Sequence, residues 1–356
     1  MKRINIALTC LIGLMSFTGC SGVKENKTVK ESSEKTPVPT SVTEKVILPS
    51  QLVPVDDSYK TVSDHPGTLQ YSDYQTKDYD GDQREMTKHL LLYLPYGYDS
   101  SDPETRYDIV YIMHGRDDSP ESILGTPDQP SETKNVLDHL IQNKDMKPVI
   151  MAAVDYYPDN RQVFKGDGDA SMTKSFGQEL KNDIMPQLES QVHTYASSAD
   201  DAGFRNSRDH RMFAGFSMGG VTTWYRMMDS MSYFRYFMPM SGSLYWGSEV
   251  VSEKQNGDTW IPEALRQNIS AQGYGKDDFF VFTVVGSEDT DFAYPTVNQQ
   301  ISLMKNMNDL FDFDSPDQKV NAGYLIGNQE PHDYSAVEMY LYNLLPVFSK
   351  MMNEKE

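Results

Sequence analysis

Ser217 stands in Gly215-Phe216-Ser217-Met218-Gly219, with a glycine two residues away on each side. Before it, Met212-Phe213-Ala214 is short and apolar, as at the end of a buried strand; after it, Gly220 to Met228 reads as a packed helix. Strand, G-x-S-x-G and helix together make the pattern of a nucleophile elbow. The small residues let the chain turn sharply, so the serine is held strained, its Oγ exposed at the positive end of the helix. A serine hydroxyl attacks a carbonyl once a base takes its proton, and near neutral pH that base is histidine. Chains with this elbow carry an acid and then the histidine downstream of the serine. Of the seven histidines, His332 alone follows Ser217. It is the predicted general base.

The acid should lie at a strand end between the two. Phe279 to Val285 is the best buried-strand pattern in that interval; it breaks at Gly286 and is followed by Glu288, Asp289 and Asp291. Asp289 is preferred, Asp291 is the alternative, and Glu288 reads as a solvated charge. The oxyanion of an acyl-transfer transition state needs two backbone N–H donors. One is expected from Met218, directly after the nucleophile. The other is expected from the turn after the Ile112 strand, at Arg116, with Gly115 as the alternative. His114 is expected to bond the backbone of that turn. Asp155, Asp159, Asp167 and Asp169 lack the regular spacing of a calcium loop, so no metal is assigned.

The elements around these residues alternate. Strands are predicted at Leu90 to Pro95, Tyr107 to Met113, Val149 to Val154, Phe237 to Gly242, Phe279 to Val285 and Tyr324 to Ile326. Helices are predicted at about Lys134 to Gln142, Val297 to Leu310 and Val337 to Phe348, with a long one from Phe176 to Tyr195 kinked by Pro186. Buried strands alternating with helices predict the α/β class, a mostly parallel sheet covered on both faces. Such sheets bind ligands at the carboxyl ends of their strands, where the three candidate residues fall.

Several pieces of the chain are similar to one known family. Tyr93-Leu94-Pro95-Tyr96-Gly97-Tyr98, Met113-His114-Gly115, Gly215 to Gly220, Thr222-Thr223-Trp224-Tyr225, Tyr236 to Gly242 and Gly286-Ser287-Glu288-Asp289 resemble carbohydrate esterase family 1, of the α/β-hydrolase fold. The likeness is to the feruloyl esterase domains attached to bacterial xylanases, and it covers the chain from about Ser58 to Lys350. It implies a triad of Ser217, His332 and Asp289 that hydrolyses hydroxycinnamoyl esters of xylan without metal or organic cofactor. Tyr156, Tyr157, Tyr245, Trp246 and Tyr334 follow predicted strand ends and are candidates for the flat apolar slot an aromatic acyl group needs. The chain differs from the family at two places. Arg116-Asp117-Asp118 follow Gly115 where the family has a glycine-rich run, and Asp333-Tyr334 follow His332 where it has tryptophans. The same triad would serve an acetyl or siderophore-type esterase. A non-catalytic, lipid-anchored glycan-binding protein is an alternative of another class, though one with no need of a strained serine beside a base.

Length and charge fit this reading. The 356 residues hold one α/β domain plus a tail, and the net charge of −20 with no basic patch argues against nucleic acid. An ester-bearing polysaccharide or oligosaccharide is the expected partner. Lys2 and Arg3 precede an apolar run, Ile4 to Phe17, that ends Phe17-Thr18-Gly19-Cys20. This resembles a bacterial lipoprotein leader, residues 1–20, with Cys20 as the lipidated residue. Residues 21–50, rich in Lys, Glu, Ser, Thr, Val and Pro, are predicted to be a disordered tether with a reach of roughly 30 Å, followed by an esterase domain over 51–356. The expected location is the extracellular face of the bacterial cell membrane, held by the lipid anchor alone.

Overall fold

Side chains along Asp108–Met113 alternate between two apolar clusters, Ile109, Tyr111 and Met113 on one side, Val110 and Ile112 on the other. Every one is buried, as in a strand covered on both faces. The computed structural model, which describes residues 46–158, 168–314 and 320–353, places this strand inside an eight-stranded sheet. In chain order the strands are β1 (Thr68–Lys77), β2 (Glu85–Leu94), β3 (Asp108–Met113), β4 (Val149–Val154), β5 (Arg211–Phe216), β6 (Tyr236–Met240), β7 (Phe280–Gly286) and β8 (Ala322–Gly327). Their spatial order is β1-β2-β4-β3-β5-β6-β7-β8. The pairings of β2 with β1 and β4 are antiparallel, and all those from β4 to β8 are parallel.

Helices Glu132–Gln142 and Tyr334–Asn353 cover the side of Val110 and Ile112. Gly168–Glu179, Met218–Asp229, Gly257–Ala271 and Tyr294–Lys305 cover the other. This is the mostly parallel sheet, covered on both faces, that the alternation of elements predicts. Ser217, Asp289 and His332 follow β5, β7 and β8 at their carboxyl ends.

The first residue of β5, Arg211, is buried and paired with buried Glu189. Its Nε donates to Oε1 at 2.8 Å and its Nη2 to Oε2 at 2.6 Å. Tyr111 and Thr194 hydroxyls complete the carboxylate's hydrogen bonds at 2.8 and 2.7 Å. A buried pair satisfied in this way avoids the cost of an unmatched charge and fixes the strand that leads into the elbow.

Three features differ from expectation. β1 was not predicted: it is a largely exposed edge strand paired along its length with β2. The long helix begins earlier, at Gly168, and is interrupted by a π turn, Leu180–Ile184, before a short helix Met185–Glu189 that holds Pro186 in its first turn. The Met185 N–H reaches back to Leu180 C=O. Pro186 has no N–H and its ring would crowd the carbonyl one turn earlier, and the wider turn relieves both. Leu48 and Leu52 already pack against the core, so chain expected to be tether is ordered by Leu48. The leader ending at Cys20, the tether up to residue 45, and Asp159 and Asp167 lie outside the described residues.

Candidate active site

The turn from β5 into the helix Met218–Asp229 places Ser217 at φ 56°, ψ −117°. A non-glycine residue holds this conformation at a cost of about 1–3 kcal/mol, met only where the surroundings enforce it. Here they do. Ser217 N–H donates to Met240 C=O at 2.9 Å, and Val221 N–H donates back to Ser217 C=O at 3.1 Å. Two glycines allow the approach: a Cβ on Gly215 would lie 2.2 Å from Gly219 C=O, and one on Gly219 would lie 2.2 Å from Met113 C=O. A side chain at Gly215 would force the turn itself open, and one at Gly219 would push the elbow off β3.

The loops after β7 and β8 are joined to each other. Ser287 N–H donates to Gly327 C=O at 2.8 Å, Glu288 N–H to Glu330 C=O at 3.1 Å, and Gln329 N–H to Ser287 Oγ at 2.8 Å. This brings His332 Nδ1 within 2.6 Å of Asp289 Oδ2 and His332 Nε2 within 2.8 Å of Ser217 Oγ. A carboxylate only accepts, so Nδ1 carries the proton and Nε2 is left to accept from the serine. Asp289 is 1% exposed, and its other oxygen accepts from Ala293 N–H at 3.0 Å. Asp291 and Glu288 are exposed. The structure therefore brings Asp289, and not Asp291, to the histidine. The His332 ring packs on Phe216 and Phe292, with centroids 4.7 and 5.1 Å away.

The turn after β3 runs beside the nucleophile: a Cβ on Gly115 would lie 3.4 Å from Ser217 Cβ. Gly115 N–H donates to Tyr334 Oη at 3.1 Å, and Gly115 C=O accepts from Tyr156 Oη at 3.0 Å and faces His114 Nδ1 at 2.7 Å. Gly115 is thus engaged at both backbone groups. Arg116 and Met218 both line the cavity beside Ser217. Met218 opens the helix, where an N–H has no intrahelical carbonyl to meet. The Arg116 guanidinium lies 3.2 Å from fully buried Asp169.

His114, as expected, is part of the scaffold. Its Nε2 lies 3.0 Å from Asp155 Oδ1. Burial would push the Asp155 carboxyl up, but His114, the charge of Lys88 and the Tyr157 N–H together hold it below its ordinary value. Asp155 and Asp169, weighed above as cation ligands, are thus each tied to a different base. No group of three candidate metal ligands occurs among the described residues.

A cavity of about 410 Å³ opens at Ser217. Its apolar wall comes from Met218, Val221, Trp246, Phe292 and Ala293, and its rim carries Asp117, Asp118 and Asp333. Of the five aromatic candidates, Trp246 and Tyr334 line it. Tyr156 and Tyr157 do not. Both are buried beneath the turn, where their hydroxyls hold Gly115 C=O and, at 2.9 Å, Asp117 N–H. Tyr245 also points elsewhere and bonds Asp258. Phe292 was not anticipated; its only sequence signal is its place three residues after the acid.

The model of a family described as putative esterase matches residues 83–322. Endo-1,4-beta-xylanase Y of Acetivibrio thermocellus is 36% identical over 262 residues, 74% of this chain. The chain spans 22% of that protein's length. Among solved structures, the feruloyl esterase module from Clostridium thermocellum complexed with sinapinate is 34% identical, with a TM-score of 0.71 over 85% of this chain and 95% of that one. A ferulic acid esterase from Anaeromyces mucronatus, 16% identical, shares the fold at a TM-score of 0.58, over 85% of this chain and all of that one.

Proposed function

We propose, from the premise that this chain belongs to the putative esterase family, that it is a serine esterase releasing hydroxycinnamate, most of all ferulate, from xylan. The observation that carries the reading is the line Asp289–His332–Ser217, hydrogen-bonded at 2.6 and 2.8 Å, at the mouth of a cavity with an aromatic and aliphatic wall. The similarity to an esterase module complexed with sinapinate supports the choice of acyl group.

In this reading His332 Nε2 takes the Ser217 proton as Oγ attacks the ester carbonyl. The N–H groups of Met218 and Arg116 receive the charge that develops on the carbonyl oxygen. Collapse expels the sugar hydroxyl, which takes its proton from His332. A water then gives a proton to His332 as it attacks the acyl-enzyme carbonyl, and collapse breaks the acyl–Oγ bond, releasing the acid as Ser217 Oγ takes that proton back. The acyl ring lies between Trp246 and Phe292 on one side and Met218 and Val221 on the other. The chemistry needs no metal.

Turnover of methyl ferulate, methyl p-coumarate, a short nitrophenyl ester and acetylated xylan tests the substrate class. The aromatic methyl esters should exceed acetylated xylan in kcat/KM by at least about tenfold, since a buried ring gains several kcal/mol of apolar contact that an acetyl group cannot. Equal rates, or a preference for acetate, would remove the hydroxycinnamate assignment.

The tether and anchor belong to the same proposal. Cys20 carries the lipid, and residues 21–45 let the domain reach insoluble polysaccharide from the membrane surface. Cys20→Ser should abolish incorporation of an alkyne-tagged fatty acid and shift the protein out of the membrane fraction. Undiminished labelling would place the anchor elsewhere.

A further inference from the structure

Tyr334 stands two residues after His332 at the start of the helix Tyr334–Asn353. Its ring packs on Phe216, the neighbour of the nucleophile, with centroids 5.1 Å apart. Its hydroxyl does two things at once: it accepts from Gly115 N–H at 3.1 Å and donates to Asp118 Oδ2 at 2.9 Å. The other Asp118 oxygen accepts from Ser122 Oγ at 3.3 Å. Burial, reinforced by the Asp118 charge, pushes the phenol well above its ordinary value, so the group stays a neutral O–H donor. The turn Gly115–Asp118 is therefore held between two sets of tyrosines. Tyr156 and Tyr157 grip Gly115 C=O and Asp117 N–H from beneath, and Tyr334 grips Gly115 N–H and Asp118 from the side of the base.

We infer that Tyr334 is a positioning residue that sets the oxyanion site. Its hydroxyl keeps Gly115 N–H turned away from substrate, so that the donor presented beside Met218 is Arg116 N–H. Because Tyr334 opens the helix two residues after His332, the same clamp keeps the base and the oxyanion turn in register. The chain has Asp118 and Tyr334 together where a glycine-rich turn would need neither. The inference rests on the serine-esterase reading and adds to it a residue whose hydroxyl is bonded to the oxyanion turn and to no triad side chain. A clamp of this kind acts on the tetrahedral state more than on bound ester, since only the former places charge at the donors.

The test compares Tyr334→Phe, Asp118→Ala, Asp118→Asn and the Tyr334→Phe/Asp118→Ala double variant on methyl ferulate. The Kd of trans-2-phenylvinylboronic acid, which forms a tetrahedral adduct on Ser217, is measured alongside. Phe keeps the ring on Phe216, so the fold should survive. Tyr334→Phe should lower kcat by about 10- to 100-fold, less than outright loss of a donor, and leave KM within about threefold. The boronate Kd should weaken in step with kcat. Asp118→Ala should repeat the pattern, Asp118→Asn, which retains an acceptor oxygen, should lose less, and the double variant should be no worse than either parent. A kcat for Tyr334→Phe within twofold of wild type, a loss confined to KM, or a fall in thermal midpoint with kcat and boronate affinity intact would each overturn the clamp. Failure of the esterase reading looks different: the wild-type protein itself would neither turn over ester nor react with a fluorophosphonate at Ser217.

Discussion

Ser217→Ala and His332→Ala should each lower kcat on methyl ferulate by about 10⁴- to 10⁶-fold, and the double variant should be little worse than either single. The Oγ forms the acyl-enzyme bond, and without His332 it keeps its proton at the moment of attack. Removing either leaves the same residue of catalysis, a water attacking a carbonyl held near Met218 and Arg116. That is why the two losses should overlap instead of multiplying. The folded state should tolerate both changes. Alanine can adopt the Ser217 backbone conformation as well as serine can, because its Cβ is the same and the glycines at 215 and 219 supply the clearance. His332 is partly exposed and contacts Phe216 and Phe292 through its ring faces, so its truncation opens space at the surface and not in either core. Single-turnover kinetics with a matched thermal midpoint reads the effect cleanly. Turnover near wild type in either variant, or a double loss equal to the product of the singles, would take Ser217 and His332 out of a common step.

What could be read from the sequence is what local chemistry dictates. The central strands announced themselves as continuous apolar runs because both faces are covered. The elbow did so because glycine is the residue that fits where Gly215 and Gly219 meet backbone at 2.2 Å. β1 was silent for the opposite reason. Its side chains from Thr68 to Lys77 mostly face solvent, so no apolar period marks it; pairing with β2 makes it a strand. The aromatic wall was half legible. A tyrosine after a strand end is as able to brace a loop with its hydroxyl as to face a ligand with its ring, and Tyr156, Tyr157 and Tyr334 all spend their hydroxyls on the turn after β3. Spacing carries no sign of which way a ring turns. Nor could it separate two aspartates two residues apart, because the choice is made by the stitching of two loops distant in sequence.

That choice yields a sharp expectation. Asp289→Asn should cost on the order of 10⁴ in kcat, by analogy with the protease triad, while Asp291→Asn changes kcat by no more than a few-fold. Asp289 Oδ2 accepts the hydrogen bond of Nδ1–H at 2.6 Å, which keeps the proton on Nδ1 and leaves Nε2 bare toward Ser217. An amide in its place can turn its NH2 toward Nδ1, which then becomes an acceptor and forces the proton onto Nε2. The ring would face the serine with a donor, unable to take its proton, and the imidazolium formed during attack would lose its counter-charge. Folding should survive the change, since the amide oxygen can still accept from Ala293 N–H, the bond at 3.0 Å that anchors the loop. Asp291 is exposed on the same loop, where solvent screens its charge from the ring. Circular dichroism and kcat on the two variants decide the matter. The reverse ranking would move the acid to Asp291 and require the loop to rearrange before attack. Small, equal losses would mean that His332 is oriented from outside this loop, and the hydrogen bond to Asp289 would then be structural.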